Sequence, residues 1–201
     1  MNFLIKYSDL KEYHNFSDKR NILGIPNGYN VISNIAILLP AIYLILKQKK
    51  ISFLSTNLIL LAITSGYYHM DPNDDTIFLD MIFVISVYTI FLSYFIEKDK
   101  AEILYIIGIL SVFYWKKTNN ILFYELLKVI ILLYGFYKIY KTNLSKYILP
   151  IIITSILIKI SEYNDNKIYK LTNKTISGHT LKHFIAGIQI CILIFIIKNK
   201  I

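Results

Sequence analysis

The sequence predicts an all-α integral membrane protein, in which a bundle of seven transmembrane helices follows a polar N-terminal segment. Two observations predict this fold. Of the 201 residues, 55% are hydrophobic and only 17% are charged, whereas a soluble domain is about 45–50% apolar and about 25% charged. Apolar runs that approach the ~20 residues needed to cross a bilayer also recur along the chain, with short polar breaks between them.

The polar segment covers residues 1–30, before the first apolar run. It lacks the continuous apolar stretch of a signal peptide. We therefore expect it to remain joined to the transmembrane domain, which covers residues 31–201. The segment carries four basic residues, Lys6, Lys11, Lys19 and Arg20.

The apolar runs are predicted to be helices, because their length and their lack of in-out alternation argue against the strands of a membrane barrel. The fourth and sixth runs are short for a span, so we expect these two helices to be tilted, to be thinly covered by the bilayer or to be extended by a few polar residues. The seven runs cover residues 31–46, 53–68, 77–96, 103–115, 121–140, 147–160 and 176–197.

The basic residues indicate membrane-surface loops rather than a nucleic-acid partner. The net charge is +9, but the lysines lie singly and in pairs around the apolar runs instead of along one stripe. They divide almost equally between the two predicted sides of the membrane, so they do not predict the orientation. The one cysteine, Cys191, lies within an apolar run and excludes an intramolecular disulfide.

Five polar residues within the spans carry the functional prediction. His69 ends the second span, and Ser65 lies four residues earlier on the same helical face. Asp80 lies about one turn into the third span. In a seven-span bundle, the end of span two and the starts of spans three and seven share one side of the membrane. The seventh span begins with two histidines four residues apart on one face, His179 and His183.

This convergence predicts a catalytic metal site. Three neutral imidazoles suit a tetrahedral Zn²⁺ whose fourth position is left to water. The residue after His179 is Thr180 rather than the Glu of a metalloprotease helix. The base must therefore come from elsewhere, and Asp80 is the carboxylate at the right depth. The alternative is that each histidine is a separate hydrogen-bonded side chain at the membrane interface.

Other polar residues near the site are predicted to have structural roles. Glu125 and Lys128 lie three residues apart in the fifth span and are expected to form an intrahelical ion pair that faces the bundle. Lys182 is expected to extend to the lipid headgroups, with contact to an anionic lipid as the alternative. His14, in the polar segment, is expected to be exposed.

Three segments resemble the alkaline ceramidase family, particularly its short bacterial-type members. Residues 65–69 (SGYYH) with Asp80, and residues 177–183 (SGHTLKH), look like the two signature segments of that family. Residues 23–34 (LGIPNGYNVISN) are similar to its entry into the first span. The resemblance implies a seven-helix membrane hydrolase with Ser65 beside a zinc ion that is held by His69, His179 and His183.

The resemblance also implies a substrate and a mechanism. The substrate is a ceramide-like N-acyl sphingoid lipid, whose amide bond is hydrolysed to a fatty acid and a sphingoid base. We expect Asp80 to take a proton from water and pass it to the leaving amine. Ser65 is expected to stabilise the oxyanion rather than to act as nucleophile, because no free histidine remains to activate it.

Two implications of the resemblance stay open. Animal-type members also bind Ca²⁺ through acidic residues near the first span. Asp18 matches one of these, but Asn27 stands where such a member has Glu. The wider superfamily includes the adiponectin and progestin receptors, which share the Ser, Asp and three-His set. The alternative function is therefore a lipid-binding or signalling membrane protein with a structural zinc.

Overall fold

The computed structural model describes residues 14–200 of the chain, and these residues form helices without a named strand. The predicted all-α class is confirmed. A short 3₁₀ helix at Ser145–Tyr147 precedes α7. The α-helices are α1 (Gly28–Ile32), α2 (Ile35–Gln48), α3 (Phe53–Met70), α4 (Asp74–Ser93), α5 (Lys98–Thr118), α6 (Leu122–Tyr140), α7 (Ile148–Tyr163), α8 (Asp165–Leu171) and α9 (Gly178–Lys200).

Helix boundaries differ from the predicted runs where side chains cap or interrupt a helix. The third run begins at Asp74 rather than at residue 77, because the Asn73 side chain accepts hydrogen bonds from the backbone N–H groups of Asp75 and Thr76. The first run is divided between α1 and α2 at Ser33 and Asn34. The fourth run extends to 21 residues by taking in charged residues at both ends, which matches the expected extension.

Three segments are long and apolar enough to cross a membrane by length and composition: Gly28–Gln48, Asp74–Ser93 and Gly178–Lys200. The predicted count of seven spans is not established, because α7 has 16 residues and a span needs about 20. Many large apolar side chains nevertheless face outward, including Ile106, Leu133 and Ile156, which are 57%, 59% and 53% exposed. An apolar exterior of this kind indicates association with a membrane.

Helix packing brings the ends of α3 and the starts of α4 and α9 together. α9 packs against α7 and α2, and α3 packs between α2 and α4. One apolar core, around Leu58 and Ile194, joins α2, α3, α4 and α9. α9 and α2 approach closely at Gly187, where a Cβ atom would collide with the backbone of Ala36. Any larger residue at position 187 would therefore push α9 away from α2.

Candidate metal centre

The three predicted histidine ligands meet inside the bundle. His69 lies at the end of α3, and His179 and His183 lie in the first turns of α9; all three are buried. One ring nitrogen from each lies within 4.8 Å of the others. The Nε2 atoms of His69 and His183 are 3.1 Å apart. The three histidines are therefore close enough to bind one metal ion.

The start of α9 is held in place by its neighbours. Gly178 lies against the backbone of Ser161 and Asp165, where a Cβ atom would collide with both. The backbone N–H of His179 donates to Oδ1 of Asp165 at 2.7 Å, and the backbone N–H of Ser17 donates to Oδ2 at 2.9 Å. Asp165 thus caps α9 from the preceding helix and ties the N-terminal segment to it.

The orientation of His183 is set by Ser33, a residue that the sequence analysis did not single out. The Ser33 hydroxyl donates to the carbonyl oxygen of Asn30 at 2.9 Å, and its oxygen lies 2.7 Å from Nδ1 of His183. Because the one hydroxyl proton goes to Asn30, the serine oxygen accepts from His183, and Nδ1 carries the ring proton. Nε2 then has a free lone pair that faces the other histidines.

Ser65 and Asp80 lie beside the histidines, as the sequence predicts. The Ser65 oxygen is 3.3 Å from Nε2 of His69, and the Ser65 side chain is hydrogen-bonded to the carboxyl group of Asp80. Within the described part of the chain, Oδ1 of Asp80 is buried and has no hydrogen-bond partner. One carboxyl oxygen of Asp80 is therefore available to a further group.

The three histidines fit a zinc ion. Two nitrogen ligands at about 2.0–2.1 Å from a tetrahedral zinc are roughly 3.3 Å apart, close to the 3.1 Å between His69 and His183. Nε2 of His179 is buried without a hydrogen-bond partner among residues 14–200, as expected for a nitrogen whose partner is a metal. Ser33 supplies the outer hydrogen bond that metal-binding histidines generally make.

The N-terminal segment covers the histidines on their polar side. The Phe16 ring lies 4.8 Å from the ring of His69 and 4.7 Å from that of His179, measured between centroids. His14 is half-buried rather than exposed, which corrects the prediction. It packs there because its two ring nitrogens lie 3.0 Å from the hydroxyl of Tyr68 and 3.0 Å from a carboxylate oxygen of Asp74.

Asp18, the predicted match to a calcium ligand, is occupied by a neighbouring arginine. The Arg20 side chain donates from Nε to Oδ1 at 2.9 Å and from its terminal nitrogen to Oδ2 at 2.6 Å. Burial raises the pKa of Asp18, but its hydrogen bonds with Arg20 and the arginine charge outweigh burial and hold the pKa below its ordinary value. Asn27, the other position compared, donates its amide to the carbonyl oxygen of His69. Asp18 and Asn27, the two positions compared with calcium ligands, thus both bind other groups of the protein.

A cavity of about 260 Å³ opens beside the histidines inside the bundle, a little below the roughly 300–1,000 Å³ typical of ligand sites. Ser65, Asp80 and His183 form part of its wall. Most of the remaining wall is apolar, with residues from six helices that include Met81, Phe91, Ile131, Leu132 and Ile190. The cavity therefore joins the polar centre to a space suited to a hydrocarbon chain.

Charged residues form a second polar part of the cavity wall. The predicted pair is confirmed, since Lys128 Nζ donates to Glu125 Oε1 at 2.7 Å. Lys182 does not extend outward as expected, because its Nζ donates to Glu162 Oε1 on α7 at 3.0 Å. Sequence reasoning missed Glu162 because it lies 20 residues from Lys182, on a different helix.

Comparison with known protein families, with curated proteins and with solved structures finds no match. The functional interpretation therefore depends on the geometry of the centre and its cavity.

Proposed function

We propose that this chain is a seven-span, zinc-dependent membrane hydrolase that cleaves the amide bond of ceramide-like N-acyl sphingoid lipids. The observation that carries the proposal is the junction between the three-histidine centre and the apolar cavity. Asp80, Ser65 and His183 lie in the wall of one cavity. A lipid chain can occupy the apolar part while its polar amide lies against the histidines.

The helices and the apolar exterior support the proposal of seven spans. Within residues 14–200, seven helices of 14 to 23 residues pack side by side. The three segments that are long and apolar enough to span a membrane include the first and the last of them. The other four long helices complete the walls of the same bundle, so we assign all seven to the membrane.

A zinc ion bound by the histidines would polarise the amide carbonyl and lower the pKa of a bound water toward about 7. Asp80 accepts the proton of the attacking water on its free oxygen, Oδ1, and then passes it to the leaving amine. While Asp80 is ionised, its carboxylate accepts a hydrogen bond from the hydroxyl of Ser65. Once Asp80 has taken the proton, that hydroxyl is released to donate to the oxyanion.

Ser65 has no activating base of its own in this arrangement. Its nearest imidazole nitrogen belongs to His69, which the proposal assigns to the metal. A serine nucleophile needs a free general base within hydrogen-bond reach. We therefore assign attack to water and oxyanion stabilisation to Ser65.

The first test measures metal content and its histidine ligands. Purified full-length protein should contain about one zinc per chain, because three imidazoles complete a site with one open position. Elemental analysis should show that single alanine variants of His69, His179 and His183 each lose most of that zinc. His14→Ala, which alters the fourth histidine, should keep it. Full zinc retention in all three ligand variants would end the assignment.

The second test measures activity on a fluorescent N-acyl sphingosine in detergent or nanodiscs. Hydrolysis should stop after treatment with a chelator and return when zinc is added back. Zinc-loaded protein that binds the lipid without cleaving it would instead support the receptor-like alternative.

A further inference from the structure

Charged side chains line the cavity next to the candidate metal centre, in a wall that is otherwise mostly apolar. Such groups are costly within a membrane, and where they occur they commonly mark the path or the site of a substrate. Their formal charges balance, because the wall contains three carboxylates and three lysines. The carboxylates are those of Asp80, Glu125 and Glu162, and the lysines are Lys128, Lys159 and Lys182.

One ion pair in this wall lies within a single helix. Lys128 Nζ donates to Glu125 Oε1 at 2.7 Å, and both residues belong to α6; we term these two residues the α6 pair. The ion pair between Lys182 and Glu162, in contrast, connects α9 to α7. Among the described residues, neither member of the α6 pair has a hydrogen bond or an ion pair with another helix. The α6 pair therefore does not hold two helices together.

The α6 pair offers both an acceptor and donors to the cavity. Within residues 14–200, the Glu125 carboxylate accepts from Lys128 alone, on Oε1, so Oε2 is open to a further donor. An ammonium group has three N–H groups, and the hydrogen bond to Glu125 uses one of those of Lys128. The two side chains are only 22% and 15% exposed. A hydroxyl group satisfies both members, because it donates one hydrogen bond and also accepts.

The α6 pair lies at the depth of the metal centre and just above it. α6 and α4 both begin on the side of the histidines and pack against each other. Lys128 lies six residues after the start of α6, as Asp80 does in α4, so each is roughly 9 Å along its helix. The ammonium of Lys128 is also close enough to Asp80 to interact with its charge. Glu125 lies about one turn nearer to the membrane surface, where the polar head of a lipid is located.

We propose that the α6 pair binds the primary hydroxyl group of the lipid that is cleaved at the metal centre. This inference rests on the proposed function and narrows its substrate class to N-acyl amino alcohols with an uncharged head. In such a lipid, two carbon atoms separate the hydroxyl from the amide nitrogen, so the hydroxyl lies beside the bond that is cleaved. It donates to Glu125 Oε2 and accepts from Lys128. Because the formal charges of the wall balance, we expect no preference for an anionic head.

The test compares two substrates that differ only in the primary hydroxyl. Zinc-loaded full-length protein in nanodiscs of phosphatidylcholine is given a fluorescent N-acyl sphingosine or its 1-deoxy analogue, in which a hydrogen atom replaces the hydroxyl. We expect kcat/KM to be about tenfold higher, or more, for the hydroxylated lipid, which is the effect of one hydrogen bond with a charged group. Equal values for the two substrates would overturn the inference.

The informative variant replaces the whole α6 pair with apolar residues of similar size, Glu125→Leu together with Lys128→Met, so that no unpaired charge is left inside the bundle. The ratio of kcat/KM between the two substrates should fall close to one. The matched control makes the same two changes at Glu97 and Lys100, an exposed pair with the same spacing at the opposite end of the bundle, and should keep the ratio. If the folded α6 double variant keeps the ratio, or slows both substrates equally, the α6 pair does not bind the hydroxyl.

A milder variant covers the case in which the α6 double variant does not fold, as judged from its melting temperature. Glu125→Gln keeps the size of the side chain and removes its charge. Because a neutral acceptor forms a weaker hydrogen bond than a carboxylate, the ratio of kcat/KM should fall below that of the parent. An unchanged ratio in Glu125→Gln would overturn the inference.

A binding measurement separates this inference from the proposed function. If neither substrate is cleaved, the hydrolase proposal fails, but the two lipids are still compared as ligands. The hydroxylated lipid should raise the melting temperature of the parent more than the 1-deoxy analogue does, and the two should act alike on the α6 double variant. Equal shifts in the parent would overturn the α6 pair as a hydroxyl site. N-acyl sphingosine 1-phosphate is the third probe, and a higher kcat/KM or a larger shift than with the hydroxylated lipid would assign the cavity to an anionic head and overturn the inference.

Discussion

Removal of the Ser33 hydroxyl should weaken zinc binding although Ser33 is not a ligand. To present Nε2 to a metal, His183 must carry its proton on Nδ1, and the Ser33 oxygen lies 2.7 Å from that nitrogen. Ser33 is 2% exposed and His183 is 3% exposed, so water does not readily replace the lost acceptor. In Ser33→Ala the buried N–H loses this acceptor whenever zinc is bound, and only its hydrogen bond with the backbone of Asn30 is left.

The expected magnitude follows from the loss of that one hydrogen bond. A hydrogen bond contributes about 0.5–1.5 kcal/mol, which corresponds to roughly 2-fold to 13-fold in the zinc dissociation constant. Loss of an outer hydrogen bond at other metal sites weakens binding by about 10-fold to 100-fold. The two ranges overlap near tenfold, and a change of this size is measurable by competition with a chromophoric chelator.

Two variants make the experiment specific. Ser33→Thr keeps the hydroxyl and should retain most of the zinc affinity. Ser111→Ala removes an equally buried hydroxyl that donates to the carbonyl three residues earlier, at Gly108, as Ser33 does to Asn30. Because Ser111 lies on α5, away from the histidines, its loss should not change zinc binding. Affinity in Ser33→Ala within twofold of the parent, or an equal loss in Ser111→Ala, would refute the reasoning.

Three further predictions concern the reaction and the N-terminal segment. Asp80→Asn should lower hydrolysis by roughly 10² or more while zinc stays bound; parallel loss of metal would make Asp80 a ligand. Ser65→Ala should lower turnover by about 10²–10³ and leave residual activity, and a covalent acyl adduct on Ser65, detected by mass spectrometry, would contradict the water mechanism. Asp18→Asn should lower the melting temperature, because it breaks the ion pair with Arg20. Breaking a fully buried pair costs about 3–5 kcal/mol. The Arg20 side chain is 37% exposed, so the expected loss of stability lies below that range. The folded-state pKa of Asp18 is depressed, so the stabilisation by this pair is complete above the unfolded pKa of 3.8 and is lost as the pH falls through the lower folded pKa. A melting-temperature difference between parent and variant that grows toward acid pH would contradict the ion pair.

Local spacing predicted much of the candidate centre. His179 and His183 share a helix face because they are four residues apart, and Ser65 and His69 follow the same rule. Asp80 required one further step, since the alternation of helix direction places the start of α4 beside the end of α3. Each of these predictions depends on regular helix geometry, and the structure places the residues where that geometry puts them.

The residues that sequence reasoning missed depend on contacts between distant segments. Phe16 lies in a polar stretch without helical periodicity, so no pattern indicates that it packs on His69 and His179. Ser33 looks like an ordinary helix serine bonded to a carbonyl three residues earlier, and only its position next to His183 reveals its second contact. Glu162 is a charged residue near a helix end, where exposure is the usual expectation.

The same limits explain the errors in the helix boundaries. Hydropathy places the start of the third span at residue 77, because the preceding residues, Asp74 to Thr76, are polar. Asn73 nevertheless caps a helix that contains them. The polar segment was expected to leave His14 exposed because solvent exposure is typical of such composition. Contacts with Tyr68 and Asp74, more than fifty residues away, instead draw His14 against the bundle.

The depths of the polar groups suit the proposed reaction. Asp80 lies six residues after the start of α4 and His183 five residues after the start of α9, roughly 9 Å and 7.5 Å along their helices. In an N-acyl lipid the amide lies just below the headgroup, at the top of the hydrocarbon. A lipid whose headgroup stays at the membrane surface therefore places its amide level with His183 and Asp80, and its acyl chain continues into the apolar part of the cavity.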